Sequence, residues 1–518
     1  IMKNPNVLIL GGTGFIGRQL VQYVVKNKLY GTLRIVDKKI PQLAYMSSLE
    51  QSYYKEANVE FVTADLTISE HLEKRVFKSL NGSEELEKNF NIIINLASET
   101  RYGMSENRYI TNKTIMENII TYAKKQENLF KVVELSTAQV YKPTSKAKDE
   151  SAKIAPWTNL AKYKYEAEEL LKDSGLPIVI LRPSLVYGPG DRQSLSPRIV
   201  CASTYTVTKK KMKCLWTGKL ALHTVHVFDV VRAIWYTAIH PKLTNTIFNL
   251  SDPSRFTQQK MNNILEEIFG ITTGYFGMII SALAKKKIDA AAETANETHM
   301  EPWIKMRTES KITHTPLTPH IENEMLHPNP MAVDGSAIEK QTKFKYKYRE
   351  VTADLVRKQI EYFQNLNLFP TKESEFFADL SVFKEESLTS VPKNVMDTIN
   401  EYLTLLLDEN EDASEAGVAK IVAKELLDAE NNSKLKIKLK EFGLNYDRKF
   451  APNYKNPSVQ VRVQKNKRYQ IGFEQTLQKG IGYKVWIAPK DDVNDALPRP
   501  ISLMLSEDKC FLTGVGNL

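Results

Sequence analysis

Through the first half of the chain, short apolar runs alternate with longer stretches in which apolar side chains recur every third or fourth position. Val7–Leu10, Leu33–Val36, Val59–Val62, Ile92–Leu96, Val132–Leu135 and Ile178–Leu181 have strand length and composition. Ile16–Lys26 and Asn112–Lys125 carry helical spacing between them. Strand, helix and strand repeated in this way predict an α/β fold with a doubly wound parallel sheet, because parallel neighbours need crossover connections.

After Arg182 the alternation loosens, as in a smaller lobe built from later chain. Residues 285–335 are rich in Lys, Thr, Glu, Pro and His, and are expected to include long surface loops. Val351–Phe363 reads as a closing helix, and Pro370 marks a boundary. Residues 1–367 therefore form one domain, with the sheet mainly in 1–185, and 371–518 form an appended α+β region. There, Asn394–Leu407 and Glu415–Leu427 are amphipathic helix candidates joined by the acidic linker Asp408–Asp412. Val459, Val461 and Val463 alternate with polar residues, and Lys465-Asn466-Lys467 looks like a turn. Tyr469, Ile471 and Phe473 then resume the alternation, which predicts a hairpin. Tyr483–Ile487 and Ile501–Leu505 suggest further strands. No catalytic motif falls in this region, so it reads as an interaction module.

Composition narrows the class. A chain of 518 residues exceeds one ordinary core, and 42% hydrophobic with 25% charged residues excludes a disordered chain. The net charge of +10, the runs Lys209–Lys211 and Lys285–Lys287, and the cluster Lys465, Lys467, Arg468 read as solvated surface ahead of nucleic-acid or membrane contact. Three scattered cysteines imply a reducing intracellular setting, cytoplasmic or cytoskeletal. A strand starting at Val7 leaves no room in this sequence for a signal or transit peptide. Ile268 to Ala284 is uncharged over 17 residues, the short limit for a membrane span. Its three glycines and hydroxyl residues favour a loop and a buried helix of the small lobe instead. Eight histidines without a His-x-x-x-His pair, and no Cys-x-x-Cys, argue against a metal site.

Gly11-Gly12-Thr13-Gly14-Phe15-Ile16-Gly17 follows the strand Val7–Leu10 and runs directly into a helix. Glycines at 11, 14 and 17 let backbone approach a pyrophosphate, whose charge the free N–H groups at a helix N-terminus stabilise. Asp37 ends the second strand 20 residues after Gly17, where a carboxylate can accept from the adenosine ribose hydroxyls. A carboxylate there favours NAD over NADP, although Lys38 and Lys39 keep NADP from being excluded. The chain resembles the extended short-chain dehydrogenase/reductase family, also called the NAD-dependent epimerase/dehydratase family, over residues 5–367. That family has a Rossmann sheet with a small substrate lobe. Asp65 and Leu66 resemble its adenine contact, and Asn95-Leu96-Ala97-Ser98 its segment beside the cofactor, with Asn95 where His is usual. Asn112 resembles its central-helix Asn, although the Gly of that motif is absent. Leu181 to Asp191, including Pro183, is a near-complete copy of the segment passing the nicotinamide, and His226-Val227-Phe228-Asp229-Val230 matches a later element.

The family's chemistry uses a Tyr and a Lys four apart on one helix face, with a Ser or Thr at the preceding strand end. Ser136 to Tyr141 resembles the latter segment, and the resemblance gives Thr137 the hydroxyl role. Glu168, at the family's usual Glu, sets the register and makes Lys164 the expected lysine, which in the family also bonds the nicotinamide ribose. The position four before it is Leu160, which can neither donate nor accept a proton. Tyr163 and Tyr165 are out of phase, and the literal Tyr205-x-x-x-Lys209 comes after the nicotinamide segment. The expectation is a catalytically degenerate member in which Thr137 and Lys164 are vestigial. It would keep NAD(H) as a structural or sensing ligand and act as a scaffold subunit of a protein assembly through 371–518. The alternatives are an active oxidoreductase or epimerase on a sugar nucleotide or sterol-like alcohol, and a basic adaptor for nucleic acid or membrane.

Overall fold

Strands of consecutive apolar residues must be buried on both faces, and a parallel sheet with helices on each side achieves that. The computed structural model describes residues 4–78, 90–370, 384–385, 392–429, 431, 434–440, 444–458, 460–469, 478–488, 490, 499–506 and 509–513. Its first six strands are β1 (Val7–Leu10), β2 (Leu33–Asp37), β3 (Val59–Thr63), β4 (Ile92–Asn95), β5 (Lys131–Leu135) and β6 (Ile178–Pro183). Later come β7 (Leu185–Tyr187), β8 (Met212–Cys214), β9 (Thr224–His226), β10 (Thr246–Leu250) and β11 (Thr273–Tyr275). Seven strands form one parallel sheet in the order β10-β6-β5-β4-β1-β2-β3. Every residue of β1, β4, β5 and β6 is buried. The doubly wound α/β fold expected from the apolar runs is present.

The longer helices of this part are α1 (Phe15–Lys26), α2 (Glu106–Ala123), α3 (Asn159–Lys172), α4 (Ser196–Thr208), α5 (Val227–Ile239), α6 (Gln258–Phe269), α7 (Met278–Lys286), α8 (Ile288–Glu309) and α9 (Ala353–Asn365). Alternate residues of a strand point to opposite faces. Val7 and Ile9 accordingly join Leu20, Val24, Val230 and Ile234 of α1 and α5. Leu8 and Leu10 join Ile115, Ile119 and Leu171 of α2 and α3. The small lobe pairs β7 with β9 and β8 with β11, both parallel.

The segment 285–335 includes loops, as expected, and also the 22-residue helix α8. One expectation for this lobe is corrected. Within Ile268 to Ala284, α7 is not a buried helix: among its residues only Ser281 is buried, and Ile279 is 81% exposed. Its serine takes the inward place because Ser281 Oγ accepts from Trp216 N at 2.7 Å and donates to Gly277 O at 2.6 Å. Among the described residues, no helix is long and apolar enough to cross a membrane.

The chain divides into two compact units, Ile1–Phe377 and Ala378–Leu518. The second has helices α10 (Lys393–Leu406) and α11 (Glu411–Ile421), and strands β12 (Lys384–Glu385), β13 (Gln460–Tyr469), β14 (Gln478–Ile487), β15 (Arg499–Ser506) and β16 (Lys509–Leu512). The strands form an antiparallel sheet in sequence order, and Val395, Ile399 and Leu403 of α10 pack with Val485, Ile501 and Leu503. α11 starts earlier than expected, since Asn410 caps it by accepting from Ala413 N at 3.1 Å, and it ends at Ile421. The expected turn Lys465-Asn466-Lys467 lies inside β13, where Lys465 pairs with Lys384 on one side and Tyr483 on the other. A hairpin does form between β13 and β14; Val459, Ile471 and Phe473 lie outside the described residues.

Candidate functional site

β1 pairs with β2 on one side and β4 on the other, so the strand order reverses at its carboxyl end, where doubly wound sheets open a binding crevice. The glycine loop lies there. Gly11 turns at φ +80°, and a Cβ on it would sit 2.7 Å from Ala97 N. A Cβ on Gly17 would sit 2.2 Å from Gly11 O. Both contacts are with backbone, so side chains are excluded. α1 begins after Gly14 with no side-chain cap, leaving the N–H groups of Phe15 and Ile16 to an external acceptor. This cradle fits a pyrophosphate.

Asp37 stands at the end of β2. Its Oδ2 accepts from Thr13 N at 3.0 Å and its Oδ1 from Lys39 N at 3.1 Å. At the next strand end, Asp65 Oδ2 pairs with Lys38 Nζ at 2.9 Å, and Oδ1 accepts from Thr67 Oγ1 at 2.6 Å. Burial works to raise the Asp65 pKa, but the bonds from Thr67 and Lys38 prevail and hold it below the usual carboxylate range. Leu66 is buried, and its carbonyl accepts from Asn118. Asn112 on α2 fixes the segment after Ala97 from both ends: Oδ1 accepts from Glu99 N at 2.7 Å, and Nδ2 donates to Glu99 O at 3.2 Å. Pro183 closes β6 opposite Leu250.

Arg18 was not singled out from the sequence. It is buried and donates to the carbonyls of Thr13, Gly14, Ala44 and Tyr45 and to Tyr362 OH. The glycine loop is thereby pinned to the closing helix α9.

Thr158 caps α3, accepting from Ala161 N at 3.0 Å, and brings Leu160 and Lys164 to one face, both buried. Lys164 Nζ bonds Glu134 Oε1 at 3.1 Å and Leu135 O at 2.5 Å. Glu134 Oε2 accepts from Asn95 Nδ2 at 2.6 Å, so the unusual Asn95 and the lysine share one carboxylate. Burial pushes the Glu134 carboxyl up, against the pull of Lys164 and Asn95. Leu160 packs among Tyr102, Tyr109 and Tyr163. Tyr163 OH turns away to Glu106 at 2.8 Å. Thr137 Oγ1 accepts from Gln139 N at 3.2 Å, and the Gln139 amide meets Tyr102 OH and Thr158. Glu168 is on the buried face of α3, ion-paired with Arg182 and accepting from Ser136. The literal Tyr205 and Lys209 belong elsewhere: Tyr205 OH meets His299 Nε2 at 3.0 Å. Glu134, Gln139 and Tyr102 were also passed over. Only Glu134 carries a signal, an acid inside the apolar run Val132–Leu135.

A "dTDP-D-glucose 4,6-dehydratase" of Dictyostelium discoideum is 26% identical over 249 residues, 44% of this chain, and the match spans only 54% of that protein. An "Uncharacterized UDP-glucose epimerase YtcB" of Bacillus subtilis (strain 168) is 22% identical, over 51% of this chain and 82% of its own. Among solved structures, the Bordetella bronchiseptica enzyme WbmG in complex with NAD and UDP superposes with a TM-score of 0.50 at 15% identity, covering 71% of this chain and 97% of that one. That likeness shows the fold. Residues 7–251 match the model of the NAD dependent epimerase/dehydratase family.

Proposed function

We propose that this chain holds NAD(H) on the loop Gly11–Gly17 without turning over a sugar nucleotide, and serves as a structural or sensing subunit of a protein assembly. The observation that carries the second half is the commitment of Lys164 to Glu134 and the Leu135 carbonyl, one turn from a leucine. A lysine lowers a phenol's pKa by placing positive charge beside it. Here a carboxylate shares that charge, and position 160 has no phenol. Loss of a general acid–base group typically costs about 10²–10⁴ in rate.

The cofactor half is supported by the fit of the cradle and by the NAD in the complex of the Bordetella relative. Phe15 and Ile16 would take the pyrophosphate, Asp37 the adenosine ribose, Asp65 and Leu66 the adenine, and Ala97 and Pro183 the nicotinamide side. Lys164 would reach the nicotinamide ribose at the expense of its bond to Leu135 O. Lys38, paired with Asp65, is engaged away from a 2′-phosphate, which supports NAD over NADP. When bound, NAD supplies a hydride acceptor; the residues of this chain orient it and exclude water.

The full chain is purified, denatured, and its released nucleotide weighed by mass spectrometry, with turnover assayed on dTDP-glucose and UDP-glucose. NAD(H) is expected in the wild type and absent from Gly17→Val, with no turnover. Failure of the wild type to carry or bind NAD(H) overturns the cofactor half. Turnover abolished by Lys164→Ala overturns the rest. One observation favours a working enzyme as the second reading: the Tyr102 phenol lies against Leu160 and bonds Gln139. Turnover lost in Tyr102→Phe would select it.

A further inference from the structure

Helix α7 faces the wrong way for a helix of a water-soluble surface. It turns Ser281 inward and leaves Met278 58%, Ile279 81%, Ile280 52% and Leu283 62% exposed, with Phe276 beside them at 42%. Large apolar side chains clustered on a surface mark a contact site. Charge surrounds this cluster. Lys285, Lys286 and Lys287 close the helix, all exposed. Strand β8 pairs with β11, immediately before α7, and brings a second basic run to it. Lys213 Nζ stands 5.8 Å from the centroid of the Phe276 ring, and Lys211 lies against Gly274. Lys209 and Lys210 precede them and are exposed as well. No acidic residue occurs between Glu267 and Asp289, or between Asp191 and Asp229. Two stretches of chain without acids therefore meet around one apolar patch.

We propose that α7 with its basic surround is an interfacial docking surface for a membrane carrying anionic lipid. Apolar side chains beside lysines match a layer whose headgroups are negative and whose interior is hydrocarbon. The helix has nine residues. At about 1.5 Å per residue it reaches roughly 14 Å, short of a bilayer core of about 30 Å, so it lies on the surface. A second copy of this chain would have to bring seven more lysines against these seven, whereas a leaflet bearing phosphatidylserine neutralises them.

The test is cosedimentation of the full chain with vesicles of phosphatidylcholine alone, or with roughly a third phosphatidylserine. Retention at least about tenfold greater on the anionic vesicles is expected, falling as salt is raised. Ile279→Glu/Leu283→Glu should lower it by about tenfold or more. Lys285→Gln/Lys286→Gln/Lys287→Gln should lower it on anionic vesicles only. All five side chains face solvent, so unchanged thermal unfolding is the control for folding. Absence of retention on anionic vesicles overturns the proposal, as does retention that neither variant changes. Light scattering that finds a dimer, made monomeric by Ile279→Glu/Leu283→Glu without vesicle binding, also overturns it and assigns the patch to a second copy.

Discussion

Glu134 is the residue whose chemistry most alters the site. It places a carboxylate in the middle of an otherwise apolar strand, and both oxygens are used, one by Lys164 and one by Asn95. Position 160 carries no phenol, and the lysine one turn away has its charge compensated. Leu160→Tyr alone should give a phenol that ionises above the ordinary value of about 10, because the position is buried and the ammonium beside it is compensated. Leu160→Tyr/Glu134→Gln keeps a hydrogen-bonding group for Asn95 and removes the compensating charge. The introduced phenol should then ionise about one unit lower, read by ultraviolet titration against the single variant. Equal values for the two variants would show that Glu134 does not control the charge at this position. Leu160 could be read from the sequence because spacing on a helix is local. The path of the Lys164 side chain could not, since its partner is 30 residues away on another element.

Elements are held in register by the buried pair that joins α3 to β6. Glu168 is fully buried and Arg182 nearly so, and the guanidinium also donates to Tyr141 OH at 2.8 Å. Removing one member of such a pair leaves an uncompensated buried charge, at a cost of about 3–5 kcal/mol. Glu168→Ala should lower stability by that amount in thermal unfolding, and Glu168→Ala/Arg182→Met should recover much of it. A smaller effect, about 1 kcal/mol, is expected for Thr158→Ala, which removes the cap of α3. Strands β1 to β6 were legible because their apolar runs are short and bounded by turn residues. The run at Lys465 misled because the alternation stops there while the backbone ladder continues on both sides of β13. In α7, hydrophobicity suggested burial, but the position of its serine decided which face packs inward.

For the molecule as a whole, three buried histidines, His223, His226 and His299, couple stability to pH. His226 stacks on Tyr348 with ring centroids 4.0 Å apart, and burial pushes its pKa down to about 3. Burial likewise pushes His299 down to about 4. The folded values lie below the unfolded one of about 6.5, so the unfolded chain takes up protons first. Stability from these groups is complete above about pH 6.5 and is lost as pH falls toward 4 and then 3. The unfolding temperature of the first unit should drop between pH 7 and 4, and drop less in His226→Gln; an equal drop would remove His226 from the account. Each unit has its own apolar core. A chain ending at Pro370 should therefore fold and keep NAD(H), measured by nucleotide content. If the proposed assembly role belongs to the second unit, any protein that co-purifies with the full chain should be lost with it, and unchanged co-purification would count against that proposal.

The sequence by itself determined the parallel sheet, the glycine loop at its carboxyl edge and the placing of Leu160 one helical turn before Lys164. Each of these is written in a pattern local in the chain: strand-length apolar runs, a turn that only glycine permits, a spacing of four on one helix. Only the tertiary structure decided where Lys164 spends its charge, how Arg18 ties the loop to α9, and which side of α7 meets solvent. Those outcomes are set by groups far apart in the chain that compete for the same buried hydrogen-bond partners, and no local pattern records which of them wins.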